Sequence, residues 1–335
     1  MTGSSARRAA LGLLIALAGA AVANLLVGPV PVPAGDVWRA LASAVGLAEP
    51  GDPLARSVVL TIRLPRIVAA ILAGMAAGIT GAALQGTFRN PVADPHLLGV
   101  GPGAALGGAL GSLTGSVQGA IAGGMVGGMF AALIVRRLGA TRASEPSRFV
   151  LTGLALGAVI IAWVGFVVFA ADRTRVPPID FWLLGNLAAS TWSTVATMVA
   201  TCGVGAAALV LAGRTLDVLT LGESDARRLG VDVDMATFVI LIGVGAVIGA
   251  AVGAVGVIAF IGLVVPHVVR KLIPGGHHRA ILSLSAIGGA VMILLAELVA
   301  RVVVSPQEVP VGLVTAAVGG PVFLWLIRKP DIPRP

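Results

Sequence analysis

Residues 236–266 read ATFVILIGVGAVIGAAVGAVGVIAFIGLVVP, an apolar run that contains no charged side chain. It is longer than the roughly 20 residues a helix needs to cross about 30 Å of hydrocarbon. Inside lipid every backbone N–H and C=O must be paired within the protein, which leaves helices or a closed barrel as spanning structures. Barrel strands would alternate apolar and polar side chains; this run does not alternate, and neither does 149–171. The reading is therefore helical, and the fold class that follows is all-α, a polytopic bundle of membrane helices.

Outward from that stretch the same pattern recurs along the 335 residues. Ten spans are expected, near 9–28, 64–86, 95–113, 116–136, 149–171, 191–212, 236–257, 259–271, 281–303 and 311–328. The eighth is too short to cross alone, so it is expected to lean on the seventh or to pack inside the bundle. Arg7 and Arg8 before apolar 11–28 resemble the start of a secretion signal, but the apolar run is long enough to span and is read as the first helix. Composition points the same way. Only 11% of residues are charged and 57% are hydrophobic, with mean hydropathy +1.00, whereas a soluble domain carries about 25% charged residues.

The whole of 1–335 reads as one transmembrane domain with three connections longer than turns. Segments 29–62 and 172–190 fall on one side, the first with a surface helix from a cap-like Asp36 to Leu47; segment 213–235 falls on the other and is densely charged. Basic residues set the orientation. Arg7, Arg8, Arg136, Arg137, Arg227, Arg228 and most others share one face, while Arg39, Arg56, Arg63, Arg66, Arg173, Arg175 and Arg301 form the smaller set. The positive-inside bias then puts both termini in the cytoplasm. The same scattering excludes a nucleic-acid partner, despite a net charge of +8, because such footprints are clustered patches. Cys202 is the single cysteine and makes no intrachain disulfide.

Glycines recur at four-residue spacing, as in Gly74/Gly78, Gly103/Gly107/Gly111, Gly123/Gly127 with Gly124/Gly128, and Gly245/Gly249/Gly253. Such stripes let helix backbones approach closely in lipid. Segments 77–100 and 250–268 echo each other, each ending in Pro-His (Pro95-His96 and Pro266-His267). An odd number of crossings separates them, so as repeats they are inverted, a common transporter design.

Several kinds of chemistry are missing. Neither Lys271, before Leu272, nor Lys329, before Pro330, belongs to a phosphate-cradling P-loop. No Cys/His set has zinc spacing, no nucleophile-elbow pattern occurs, and no bound cofactor or metal site is expected. Ionisable residues sit at span ends rather than mid-membrane, where a proton-coupled carrier would place its acids. Glu297 is the exception; it precedes Arg301 by one turn, the favourable order for a local ion pair. Energy for transport is therefore expected from a partner.

Four stretches carry a resemblance: RLPR at 63–66 with GAALQGTFRNPVADPHLLGV at 81–100, LGESDARRLG at 221–230, GVIAFIGLVVPH at 256–267 and EVPVGLVT at 308–315. Together, and in this order over nearly the whole chain, they resemble the iron-chelate, haem and cobalamin permease family of ATP-binding-cassette importers. The resemblance implies a membrane subunit that is not itself an enzyme. It implies a second copy as homodimer partner, two ATPase subunits that hold ATP and magnesium, and an extracytoplasmic binding protein delivering a metal chelate. The expected location is the bacterial cytoplasmic (inner) membrane, and the expected mechanism alternating access. The other class left open is a secondary transporter or channel that works without an ATPase.

Residue roles follow from the same resemblance. Arg63, Arg66 and Arg301 match positions where family permeases meet glutamates of the binding protein; on physical grounds alone they could simply snorkel into headgroups. Asn90, Val92, Pro146 and Ser147 match the inner gate, although the family usually carries Leu at Val92 and the local match around SEPS (144–147) is weaker. Glu223, Ala226, Arg227 and Gly230 match the helix that couples to the ATPase, Gly230 being a natural helix stop. His96 and His267 are read as structural histidines, and Arg173 and Arg175 flank the outer mouth.

Overall fold

The structure, a computed structural model, describes residues 2–139, 146–172 and 174–328. Its longest rod runs from Pro53 to Thr87. The rod starts where the Asp52 carboxylate accepts the Ala55 N–H at 2.8 Å, with proline at the first helical position. Both features complete a helix start whose N–H groups lack partners. One π-helical turn, Val58–Arg63, joins the short α3 (Pro53–Ser57) to α4 (Leu64–Thr87).

Before this rod come α1 (Thr2–Leu26) and the amphipathic α2 (Ala34–Ala44). After it come α5 (Val100–Ser112), α6 (Val117–Gly139), α7 (Pro146–Ala170), α8 (Ile179–Leu184) and α9 (Trp192–Leu211). The chain continues through α10 (Gly213–Leu219), α11 (Glu223–Arg228), α12 (Val233–Val255), α13 (Ile261–Leu272), α14 (His278–Val302) and α15 (Val311–Arg328). No strand occurs among the described residues. Each of the ten expected spans is a helix, and seven runs are long and apolar enough to cross by themselves.

Burial sorts the helices into an inner and an outer set. The apolar windows of 53–87, α12 and α14 are 78%, 72% and 67% buried, whereas those of α1 and α7 are only 17% and 22%. A chain apolar on every face suits both environments, so packing rather than hydropathy decides the layer. The glycine stripes are the packing code. A Cβ at Gly74 or Gly78 of α4 would run into the backbone of Gly289–Ala290 or Ser285 on α14. Gly103, Gly107 and Gly111 of α5 meet Gly127, Gly123 and Gly119 of α6, and Gly124 and Gly128 meet Gly249 and Gly245 of α12.

Two expectations are corrected. The third span does not begin at residue 95: 88–99 is non-helical and α5 starts at Val100, because Gly99 adopts φ +79. The surface helix begins after Pro33, with Asp36 inside its first turn rather than at its cap. Of the two placements left open for the short eighth span, α13 takes the one inside the bundle, packed on α4 and α14. The two echoing segments share a backbone device. A residue of positive φ, Gly99 in one and Phe260 (φ +69) in the other, stands just before a short helix. The segments also touch, since Gly81 lies against the backbone of Gly262.

Candidate functional site

Arg63 and Arg66 stand three residues apart across the end of the π turn, and Arg301 lies on the last turn of α14. The structure brings the three together, but beneath the surface, at 2%, 5% and 4% exposure. Arg63 donates to the carbonyls of Leu25, Leu26 and Val30 in and after the end of α1. Arg301 donates to the Asn24 carbonyl at 3.1 Å. Arg66 is ion-paired through Nε with Glu297 and through Nη1 with both carboxylate oxygens of Glu308, at 3.0 and 2.8 Å. These guanidiniums are thus occupied within the chain rather than extended into headgroups. The expected Glu297–Arg301 pair is corrected, since the nearer cation to Glu297 comes from α4.

Of this cluster, sequence reasoning missed the part played by Glu308. The signal was present, because Glu308 opens the quoted EVPVG stretch and precedes Pro310, which fixes the backbone near it. In the connection 172–190 Thr174 donates its N–H to Asp172 at 3.0 Å, and this hydrogen bond, with one from the Thr174 hydroxyl, holds the Asp172 carboxyl below its usual range. Arg173 lies outside the described residues.

At the opposite end, α4 stops at Thr87 and the chain turns through Arg89, which adopts φ +48. The Asn90 side chain folds back to accept the Val92 N–H at 3.0 Å, and Asp94 accepts the His96 N–H at 2.8 Å. These local bonds satisfy backbone N–H groups where the chain leaves the helix. Asn90 and Val92 are half-buried, Ala93 and Asp94 buried. Both ring nitrogens of His96 are shut off from solvent. Pro146 and Ser147 fall in the first turn of α7, while Ser144 and Glu145 lie outside the described residues.

The charged segment folds as α11, bracketed by Gly222 (φ +111) and Gly230 (φ +83). Its acids, Glu223 and Asp225, lie in the first turn and Arg227 and Arg228 in the last, the order the helix dipole favours. Ala226 is fully buried, whereas Glu223 and Arg227 are exposed. Arg227 pairs with Asp234 on α12 at 3.3 Å, and Arg136 of α6 donates to the Asp234 carbonyl at 3.1 Å. The turn at Arg89 is close by, because a Cβ at Gly222 would lie 3.6 Å from Nη1 of Arg89.

A cavity of about 680 Å³ opens among the ends of α4, α10, α13 and α14, with Gln85, Asp217, His267, Arg270 and His278 in its lining. Asp217 accepts the His278 N–H and faces its Nδ1, both at 2.8 Å. Gln85 accepts a hydrogen bond from Arg270 and donates one to the Gly262 carbonyl. This cavity was not foreseen, because it depends on four separate helix ends meeting.

Comparison with known proteins matches this arrangement from end to end. Residues 13–329 match the model of the FecCD transport family. The haemin transport system permease protein HmuU of Yersinia pestis is 38% identical over 281 residues, 81% of this chain and 83% of that protein. The cobalamin import system permease protein BtuC of Halobacterium salinarum is 38% identical over 311 residues, 90% of this chain and 83% of that protein. A solved chain described as an inward-facing conformation of a proposed metal-chelate type ABC transporter superimposes with TM-score 0.78 at 28% identity, covering 97% of this chain and 99% of the other. A helical membrane bundle matched over this length leaves one assignment: the chain belongs to the FecCD transport family.

Proposed function

We propose that this chain is the membrane-spanning permease of an importer that carries a metal chelate into the cytoplasm: a ferric siderophore, haem or cobalamin. Two copies would line the path, two ATPase subunits would grip the inner face, and an extracytoplasmic protein would deliver the cargo. The assembly would sit in the bacterial cytoplasmic (inner) membrane with both termini inside. The observation that carries this reading is the setting of α11. It is short, bracketed by two glycines of positive φ, anchored by buried Ala226 and ion-paired to central α12. A rigid segment of this kind passes on a push that a flexible loop would absorb.

On this reading Glu223, Ala226, Arg227 and Gly230 form the coupling element. Asn90, Val92, Pro146 and Ser147 form the inner gate, with Arg89 lying next to Gly222 between the two regions. Alternating access is then a population shift, driven by partners that bind the two states unequally. Docking of the delivering protein at Arg63, Arg66 and Arg301 requires Glu308 to yield Arg66, since that guanidinium is already engaged. The names of the relatives cover haemin and cobalamin, and the basic outer mouth leans toward an anionic chelate.

The test is ATP hydrolysis by the reconstituted complex, with its cognate binding protein, in the presence of ferric siderophore, haem or cobalamin. One of the three should stimulate hydrolysis. No stimulation by any of them would remove the metal-chelate assignment.

A further inference from the structure

Arg270 forms no ion pair among the described residues. Its one hydrogen-bond partner is the neutral side-chain amide of Gln85, and its Nη2 is buried without a partner. Elsewhere in the bundle Arg66 has two carboxylates, and Arg63 and Arg301 are met by backbone carbonyls, whereas Arg270 has neither among the described residues. Removing a guanidinium from water without a counter-charge costs several kcal/mol, so something else should neutralise Arg270.

The cavity beside it is suited to that task. Arg270 and Lys271 contribute positive charge to the lining, with His267, His277 and His278 between them. The single acid in the lining, Asp217, is already committed to the first N–H of α14 and to the His278 ring. His267 stands one turn before Arg270 on the same face of α13, and its Nε2 is likewise buried without a partner. Pro91, Ile273 and Ile281 supply apolar wall. Coulomb attraction falls off slowly with distance, so a guanidinium within the wall attracts an anion in the cavity without direct contact.

We propose that this cavity, between the ends of α4, α10, α13 and α14, holds a phosphate-bearing anion that neutralises Arg270. Basic pockets between membrane helices on the cytoplasmic side take lipid headgroups. On the orientation proposed above, this cavity lies on that side. Two sources share the chemistry, a phospholipid headgroup and free phosphate. The recess and its apolar wall favour such a ligand over a carboxylate reaching in from a docked ATPase. Neither source requires that the chain transport a chelate.

The experiment uses the full chain, purified in detergent and stripped of lipid. Phosphatidylglycerol, inorganic phosphate or phosphate-free diacylglycerol is added, and melting temperature and bound mass are read. At least one phosphate arm should raise the melting temperature, and diacylglycerol should not. Arg270→Gln should abolish the rise. Because that variant could fail to fold, Gln85→Glu is the decisive partner: it gives Arg270 a carboxylate of its own. Gln85→Glu should melt higher than the parent without ligand and bind the phosphate probe about tenfold more weakly or worse. No response to either phosphate source overturns the proposal, as does undiminished binding by Gln85→Glu. Phosphate binding left intact in Arg270→Gln overturns it too.

Discussion

Glu297 of α14 is ion-paired with Arg66 of α4, and the two side chains are among the most deeply buried charges in the bundle. The pair therefore joins two central helices rather than neutralising one turn of a single helix. Removing one partner of a buried pair leaves an uncompensated charge and costs about 3–5 kcal/mol. Arg66→Ala should lower the melting temperature of the purified chain sharply. Glu308→Gln, at the more exposed end of the network, should cost roughly 1 kcal/mol or less. Equal melting of the two variants would contradict this ranking.

Glycine positions give a second contrast. A side chain at Gly78 would enter the backbone of Ser285, whereas nothing lies within 4 Å of one at Gly12 on the largely exposed α1. Gly78→Leu should prevent recovery of folded protein in detergent, and Gly12→Leu should be recovered like the parent. Overpacking costs about 1–3 kcal/mol where side chains can adjust, and here the obstacle is backbone.

Much of this architecture was legible in the sequence. The ten apolar runs gave ten helices, because in hydrocarbon the backbone has so few alternatives. The glycine stripes were legible for the same reason, although nothing in them says which helix meets which; α6 shows this by serving α5 with one stripe and α12 with the other. The charged side chains were harder. Arg63, Arg66 and Arg301 were recognised as belonging together, but their burial depends on Asn24, Val30 and Glu308 arriving from distant segments. Local spacing favoured Glu297–Arg301, and a tertiary contact with Arg66 displaced it.

Coupling makes a third prediction. Gly230 adopts φ +83 and a Cβ there would meet nothing within 4 Å, so Gly230→Val introduces only backbone strain, on the order of 1–2 kcal/mol. In the reconstituted complex this variant should keep basal ATP hydrolysis while moving fewer chelates per ATP. An unchanged ratio of transport to hydrolysis would detach α11 from coupling.

The gate proposed at the turn after α4 makes a fourth. Asn90 holds the Val92 N–H by its side chain, and loss of such a bond costs about 1 kcal/mol. Asn90→Ala should raise passive leak of chelate from loaded vesicles containing the whole complex without ATP. If leak stays at the parent's level, Asn90 is only a turn residue.

The most direct measurement of the account places the purified chain in sealed vesicles and follows uptake of a radiolabelled chelate. The chain alone, with or without an ion gradient, should accumulate none. Adding the ATPase subunits, ATP and the binding protein should start uptake. Accumulation by the chain alone under an ion gradient would mean that it carries its own means of energy coupling, contrary to everything proposed for α11.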